Sequence, residues 1–514
     1  MKSSTRTITK RAAQSQRIFL VGLIYLTVLP PIVHAIDQRP NILFIYTDDQ
    51  SHRTVGAYEE SPPWVETPNL DRLARQGVRF RHAYAGPWCV PSRTSLITGR
   101  HLHAVRGLPE TFPYWFDALR ASGYHTAMIG KWHQYYHPPN DGMGVFWDHA
   151  VMWKKTGYYY ILQQLAFDGT DPISYYGYST DYFTDFAEQY IRREHDRPWF
   201  LWLCYDAVHG PYLPAGRHQD RYRNGQSVPV PADIFPPRLG KPRYVRDMDW
   251  YWQPGRGYQE GQIMRAATEG LVRSERWRDI QPPTLQGMIR MYHRAVLAVD
   301  EGVGRLLDTL EETGQTQNTL VIFTSDQGFA FGQHGFEDKV APYDANIQVP
   351  LMVRWPGQFA SNRTCDHPAG QLDVVATICA LAGARPKFAV HGHDLTPILQ
   401  DPSREWLHPV LCEHFGKRFG QRTWHGRTGD AAIHRVPWWI SLCQGRYKYI
   451  RTLLDDEIEE LYDLQGDPEE LMNLALDPKY REILADYRGR LVDELRRSDG
   501  SELAGNLPIP TTMD

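Results

Sequence analysis

Asn41-Ile42-Leu43-Phe44-Ile45-Tyr46 is an unbroken apolar run that ends in Thr47-Asp48-Asp49. Far downstream, Thr319-Leu320-Val321-Ile322-Phe323 repeats the plan and ends in Thr324-Ser325-Asp326-Gln327-Gly328. Short apolar runs without alternation suit strands covered on both faces. In an open α/β sheet, ligands gather outside the carboxyl ends of the strands, so parallel neighbours would bring these two acidic ends together. Asp48, Asp49, Asp326 and Gln327 then offer three carboxylates and one carboxamide. All are hard oxygen donors, which suit Ca²⁺ or Mg²⁺ rather than zinc. A divalent cation would also offset the mutual repulsion of the acids.

The surrounding pattern extends the α/β reading. Thr67-Pro68 is expected to cap a helix, with Leu70, Leu73 and Ala74 on one face and a stop at Gly77. Trp199–Cys204 and Val349–Arg354 read as further strands. From Met288 to Thr313, Ile289, Tyr292, Val296, Val299, Val303, Leu306 and Leu310 recur at helical spacing, and Gly314 ends the helix. Beyond about residue 385 the character changes. Trp439–Cys443, a turn at Gln444-Gly445 and Arg446–Arg451 predict an antiparallel hairpin, with Leu461–Leu464 adding a strand. Asp477-Pro478 opens a helix carrying Ile483, Leu484, Tyr487, Leu491 and Leu495. The expected fold is α/β, a large mostly parallel or mixed sheet flanked by helices. A smaller C-terminal α+β domain would carry a short antiparallel sheet and a helix. The expected boundaries are 1–35 for a targeting segment, 36–385 for the main domain and 386–514 for the smaller one.

Length alone favours more than one domain, since 514 residues exceed the ~250–300 at which one core stops growing. A hydrophobic content of 42% and a charged content of 23% describe an ordinary globular protein. The net charge of -4 argues against a general nucleic-acid binder. At the N-terminus, Lys2, Arg6, Lys10, Arg11 and Arg17 precede an apolar run from Ile18 to Leu29, then Val33-His34-Ala35. This predicts a cleaved signal peptide, with an uncleaved anchor as the lesser alternative, and an exported protein, periplasmic or extracellular, with no membrane span after cleavage. The run is shorter than the ~17–25 residues a bilayer requires. The six cysteines show no zinc spacing. Residues 140–180 and 215–285 read as long loops rich in Tyr, Trp, Pro and Gly. Trp147, Trp153, Tyr158, Tyr159, Tyr160, Tyr175, Tyr176, Trp250, Tyr251 and Trp252 there offer faces for sugar rings, or pack the loops onto the body.

Cys89-Val90-Pro91-Ser92-Arg93, closed by Thr98-Gly99-Arg100, carries the chemistry. Pro91 fits the first turn of a helix and Gly99 its end. Cys89 therefore stands at the positive end of a helix dipole, with Arg93 and Arg100 adding fixed charge. This stretch resembles the motif of the type I, formylglycine-dependent sulfatases of the alkaline phosphatase-like superfamily. The resemblance runs from about residue 39 to about residue 490, where Leu461-Tyr462-Asp463-Leu464, Asp467-Pro468 and Asn473-Leu474 resemble a stretch of that family's appended domain. It implies that a formylglycine-generating maturation enzyme oxidises Cys89 to an aldehyde. One hydroxyl of the hydrated aldehyde would attack sulfur, and the other would later expel sulfate.

The same resemblance assigns roles by position. Gly130-Lys131-Trp132-His133 is similar to a family motif in which Lys131 binds a sulfate oxygen and His133 contacts the formylglycine hydroxyl. His209, in Val208-His209-Gly210-Pro211, would protonate the leaving alcohol, and Lys339 would bind sulfate. His334 is a weaker candidate beside it. Asp48, Asp49, Asp326 and Gln327 would hold Ca²⁺, or Mg²⁺, together with the formylglycine at position 89. Gln327 departs from the family's usual asparagine by one methylene. The implied substrate is a sulfate monoester, either a sulfated glycan or a small aryl or alkyl sulfate. The rival readings are a phosphonate monoester or phosphodiester hydrolase of the same superfamily and a catalytically silent relative.

Overall fold

The computed structural model describes residues 39–105, 113–133, 139–155, 163–222, 226–246, 285–415 and 436–508. The expected targeting segment lies outside them, as do Tyr158, Tyr159, Tyr160, Trp250, Tyr251 and Trp252. Residues Arg39–Asp514 form one compact unit.

Ten strands make the main sheet. In spatial order they are Arg363–Cys365, Val78–Phe80, Met352–Arg354, Thr319–Ser325, Asn41–Thr47, Trp199–Cys204, His125–Lys131, His149–Lys155, Gln163–Phe167 and Ile173–Tyr175. The five from Thr319–Ser325 to His149–Lys155 run parallel. The register sets Asn41 opposite Thr319 and Thr47 opposite Ser325, so Asp48 and Asp326 leave the sheet side by side.

Period-two alternation explains the unbroken apolar runs. Leu43, Ile45, Leu201, Leu203, Val321 and Phe323 face a core built with the helices Pro68–Arg75, Ser179–Ile191 and Leu285–Glu312. Ile42, Phe44, Phe200, Trp202, Leu320 and Ile322 face the opposite core, built with Cys89–Thr98, Phe116–Ala121 and Gln371–Ala382. Both faces are covered, so both parities are apolar.

Two expectations change. Within the expected loop 140–180, His149–Lys155, Gln163–Phe167 and Ile173–Tyr175 are the last three strands of the sheet. The final two are antiparallel edge strands, and the register shifts between Trp153 and Lys155, which breaks the pattern visible in sequence. Thr67 precedes its helix without capping it. Its hydroxyl instead accepts from the Gly56 N–H and bonds Asp71.

In the C-terminal part, Val410–His414, Trp439–Gln444, Tyr447–Thr452 and Glu459–Asp463 form an antiparallel sheet in that order. The helix Arg481–Arg497 lays Leu484, Tyr487, Leu491 and Leu495 into a core with Ile440, Leu442 and Leu461. The other face of this sheet packs Trp439, Cys443, Ile450 and Tyr462 against Phe336, Val340, Ala341 and Tyr343 of the main body. No described helix is long and apolar enough to cross a membrane.

Candidate active site

Four strand ends and one helix start supply the site. The Cys89–Thr98 helix begins at Cys89 and ends at Gly99, whose φ of 65° is the left-handed cap that glycine takes without strain. Trp88 precedes the helix without a side-chain cap, which leaves its positive end directed at the Cys89 region. Arg93 lies one turn on, fully buried. Its Nε donates to Asp326 Oδ2 at 2.9 Å and one amino group to the Lys131 carbonyl at 2.8 Å, while the guanidinium stacks over Tyr46 at 5.1 Å. Ser92 bonds the Asp326 carbonyl and Gln371. Ser92 was not singled out in sequence, although its place one turn from Cys89 points to the same cleft. Arg100 turns elsewhere and pairs with Asp499, so it adds no charge at Cys89.

The acids converge as the parallel pairing requires. One oxygen each of Asp48, Asp49 and Asp326 lies within 4.8 Å of the others, and Asp48, Cys89 and His209 form a second such group. The Asp49 N–H donates to Asp326 Oδ1 at 3.0 Å, which ties the two strand ends together. Lys131 pairs with Asp48. Lys339 Nζ lies 2.8 Å from both oxygens of Asp49 and 3.5 Å from Cys89 Sγ. The Gln327 amide N–H donates to Cys89 Sγ at 3.5 Å. His209 Nε2 is 3.8 Å from Asp49 Oδ2, and its side chain is the most open of the set at 35%. His133 is mostly enclosed, with Nδ1 lacking a hydrogen-bond partner among the described residues. The sequence-designated site residues thus join one cluster, with Arg100 and His334 the exceptions. The His334 backbone N–H donates to Asp233 at 2.9 Å, its ring Nδ1 lies 2.6 Å from the same carboxylate, and the ring packs at a tilt on Tyr343.

Two orphaned acceptors test the fit of a cation. Asp48 Oδ1 and Gln327 Oε1 are buried and have no partner among the described residues. Such oxygens are costly unless something positive meets them. The longer Gln327 side chain turns its amide nitrogen to Cys89 and leaves its oxygen buried without a partner among the described residues. The donor set therefore fits a hard divalent cation.

Burial shapes the protonation states. It pushes the Cys89 thiol up to about 12, against the pull of Lys339. A neutral thiol is a poor nucleophile. Burial also raises Asp49 to about 6 and lowers Lys131 to about 8, with Lys339 opposing the first shift and Asp326 the second. His133 is held far below the usual imidazole range by burial, then by Lys131 and Arg93, and so stays neutral.

Lys131 closes the His125–Lys131 strand behind Gly130. Gly130 has a φ of 108°, and a Cβ there would stand 1.9 Å from the Cys204 carbonyl oxygen. Only glycine lets the two strands approach so closely.

The aromatic expectation is corrected in part. Trp147 is fully buried against Phe116 and Trp202, and Trp153 is packed into the sheet core. Tyr175 rests on Tyr182 and Phe186, and Tyr176 alone of the described set is broadly exposed. All six cysteines are buried free thiols.

Three buried cations paired with three clustered acids, at the carboxyl ends of parallel strands, give position 89 surroundings that suit a small anionic ester. That defines a hydrolase of anionic esters. A sulfatase family model matches residues 40–384, and a model of the N-sulphoglucosamine sulphohydrolase C-terminal region matches residues 332–497. The chain belongs to the sulfatase family and is a sulfuric ester hydrolase. It is 28% identical over 492 residues to an N-acetylglucosamine-6-O-sulfatase of Bacteroides thetaiotaomicron, covering 86% of this chain and 84% of that one. The human N-acetylglucosamine-6-sulfatase is 27% identical over 509 residues, covering 88% and 84%. A solved structure of a protein in complex with its substrate D-glucosamine-2-N,6-O-disulfate superimposes with a TM-score of 0.74 at 26% identity, over 91% of this chain and 99% of that one.

Proposed function

We propose that the protein is an exported carbohydrate sulfatase that removes a sulfate ester from a glucosamine-type sugar, with Cys89 converted to formylglycine and Ca²⁺ held by Asp48, Asp49, Asp326 and Gln327. The observation that carries this reading is the convergence on Cys89 Sγ of Lys339 and Gln327, each at 3.5 Å, above three clustered carboxylates. The sugar class is supported by the substrates named for the relatives, and export by the basic region and apolar run before residue 30.

Formylglycine hydrate at position 89 supplies a nucleophilic hydroxyl in place of a thiol that burial keeps protonated. The cation supplies charge against a sulfate oxygen. The residues of the chain do the rest. Lys131 and Lys339 bind sulfate oxygens, and Arg93 holds Asp326 and the Lys131 backbone in register. Fixed charge arranged before reaction is usually the largest catalytic contribution. His133, neutral and enclosed, contacts the hydroxyl at position 89; a bound sulfate ester would offset the Lys131 and Arg93 charges that hold its pKa down and so let it take that hydroxyl's proton. His209, at the open side, donates a proton to the departing sugar oxygen.

Peptide mass spectrometry of the exported chain tests the nucleophile, and conversion of Cys89 to the aldehyde is expected. Turnover of N-acetylglucosamine-6-sulfate against a matched phosphodiester tests the substrate. An unconverted cysteine in active enzyme, or faster phosphodiester cleavage, would overturn the reading.

A further inference from the structure

Lys339 reaches Cys89 and Asp49 from an unusual turn. Val340, the next residue, has a φ of 89°. Among the described non-glycine residues with positive φ it is the only β-branched one. A β-branched side chain there is a true outlier, and such a conformation lasts only where its surroundings impose it.

The C-terminal sheet imposes it. The Trp439 indole N–H donates to the Val340 carbonyl at 2.7 Å, and both residues are fully buried. Trp439 opens the Trp439–Gln444 strand and is paired on both sides, with His414 and with Thr452. Its backbone cannot follow the turn. Beyond the turn, Asp344 is pinned by Lys448 of the same sheet and by Glu470, which follows the sheet's last strand. Lys448 meets its carboxylate at 2.6 Å, and the Asp344 N–H donates to Glu470 at 2.6 Å.

We propose that Trp439 is a positioning residue for Lys339: its indole N–H holds the Val340 carbonyl and so keeps the strained turn that delivers the ammonium group to the site. The inference rests on the reading of Lys339 as a sulfate-binding group.

The test is calorimetric binding of inorganic sulfate to the full, calcium-supplemented chain. Trp439→Phe removes the N–H and is expected to weaken sulfate binding about ten-fold. Adding Val340→Gly to that variant restores most of the loss, because glycine takes the positive φ without help. A purely space-filling role for Trp439 predicts no such rescue. If Trp439→Phe does not fold, a benzothienylalanine at position 439 keeps the two-ring shape and lacks only the N–H, and the same ten-fold loss is expected. Lys339→Ala separates the two readings. Unchanged sulfate binding in that variant, or none in the unsubstituted chain, overturns the role of Lys339. Weakened binding there, with full binding when the indole N–H is absent or with no rescue by Val340→Gly, overturns the role of Trp439.

Discussion

Two buried charge clusters of similar composition do opposite work. At the strand ends, Asp48, Asp49 and Asp326 face Lys131, Lys339 and Arg93. Under the C-terminal sheet, Asp344, Glu470 and Glu460 face Lys448, Lys241, Tyr343 and Tyr462. In the second cluster Lys448 sits 2.6 Å from Asp344 and 2.8 Å from Glu470, and Glu460 takes both tyrosine hydroxyls. Both clusters leave an acceptor over among the described residues: Asp48 Oδ1 and Gln327 Oε1 in the first, Glu460 Oε1 in the second. Burial alone does not mark a site. Nor does a leftover acceptor; only in the first cluster do the acids also gather beside a nucleophile position, Cys89 Sγ, which Lys339 and Gln327 each reach at 3.5 Å.

The comparison breaks most sharply at Cys89. Cys89→Ala should lower turnover of N-acetylglucosamine-6-sulfate by about 10⁴-fold or more while leaving the melting temperature unchanged. Retained turnover would refute the nucleophile. The reverse pattern is expected of Lys448→Met. It strands two buried carboxylates and should cost about 3–5 kcal/mol of stability in urea unfolding. A variant as stable as the parent would show that the second cluster does not hold the fold.

Gln327→Ala sharpens the contrast at smaller scale. Its Oε1 has no partner among the described residues and its amide gives up only the 3.5 Å contact with Cys89, so cation-free stability should change little while the calcium Kd weakens about ten-fold, or about 1.4 kcal/mol. Unchanged calcium affinity by titration calorimetry would remove Gln327 from the ligand set. The smallest effect is one of pH. His103 is buried, with Nδ1 2.7 Å from Glu413 and Nε2 2.7 Å from the Ser498 carbonyl, so both nitrogens donate and the ring is charged. Burial alone would lower its pKa, but Glu413 and the Ser498 carbonyl together raise it above the ordinary value. A raised folded-state pKa gives stability that is complete below about pH 6.5, the unfolded value, and is lost as pH rises through the folded one. His103→Gln should flatten that part of the stability profile. An unaltered slope would exclude the pair as its source.

The sequence revealed what is local. The twin strand ends, the Cys89 helix with its glycine stop, and the hairpin at Gln444-Gly445 each carry their own pattern, and the structure has all three. What stayed hidden depends on distant partners. Trp147 and Trp153 look like sugar platforms until the strands around them bury their rings. The strand Gln163–Phe167 lacks the apolar run of a central strand because it pairs antiparallel near the sheet edge. Arg100 looked like a site cation because it closes the motif, yet Asp499, almost at the other end of the chain, claims it. Nothing near Val340 in the chain announces a positive φ, since its cause is Trp439 in another sheet.

The most exacting position beside the chemistry has no functional group at all. At Gly130 even a single methyl would collide with the Cys204 carbonyl, one residue before the lysine that meets Asp48. Mutational tolerance should therefore dip there as deeply as at the reactive residues, and a screen for lost activity would flag an amino acid that never meets the substrate.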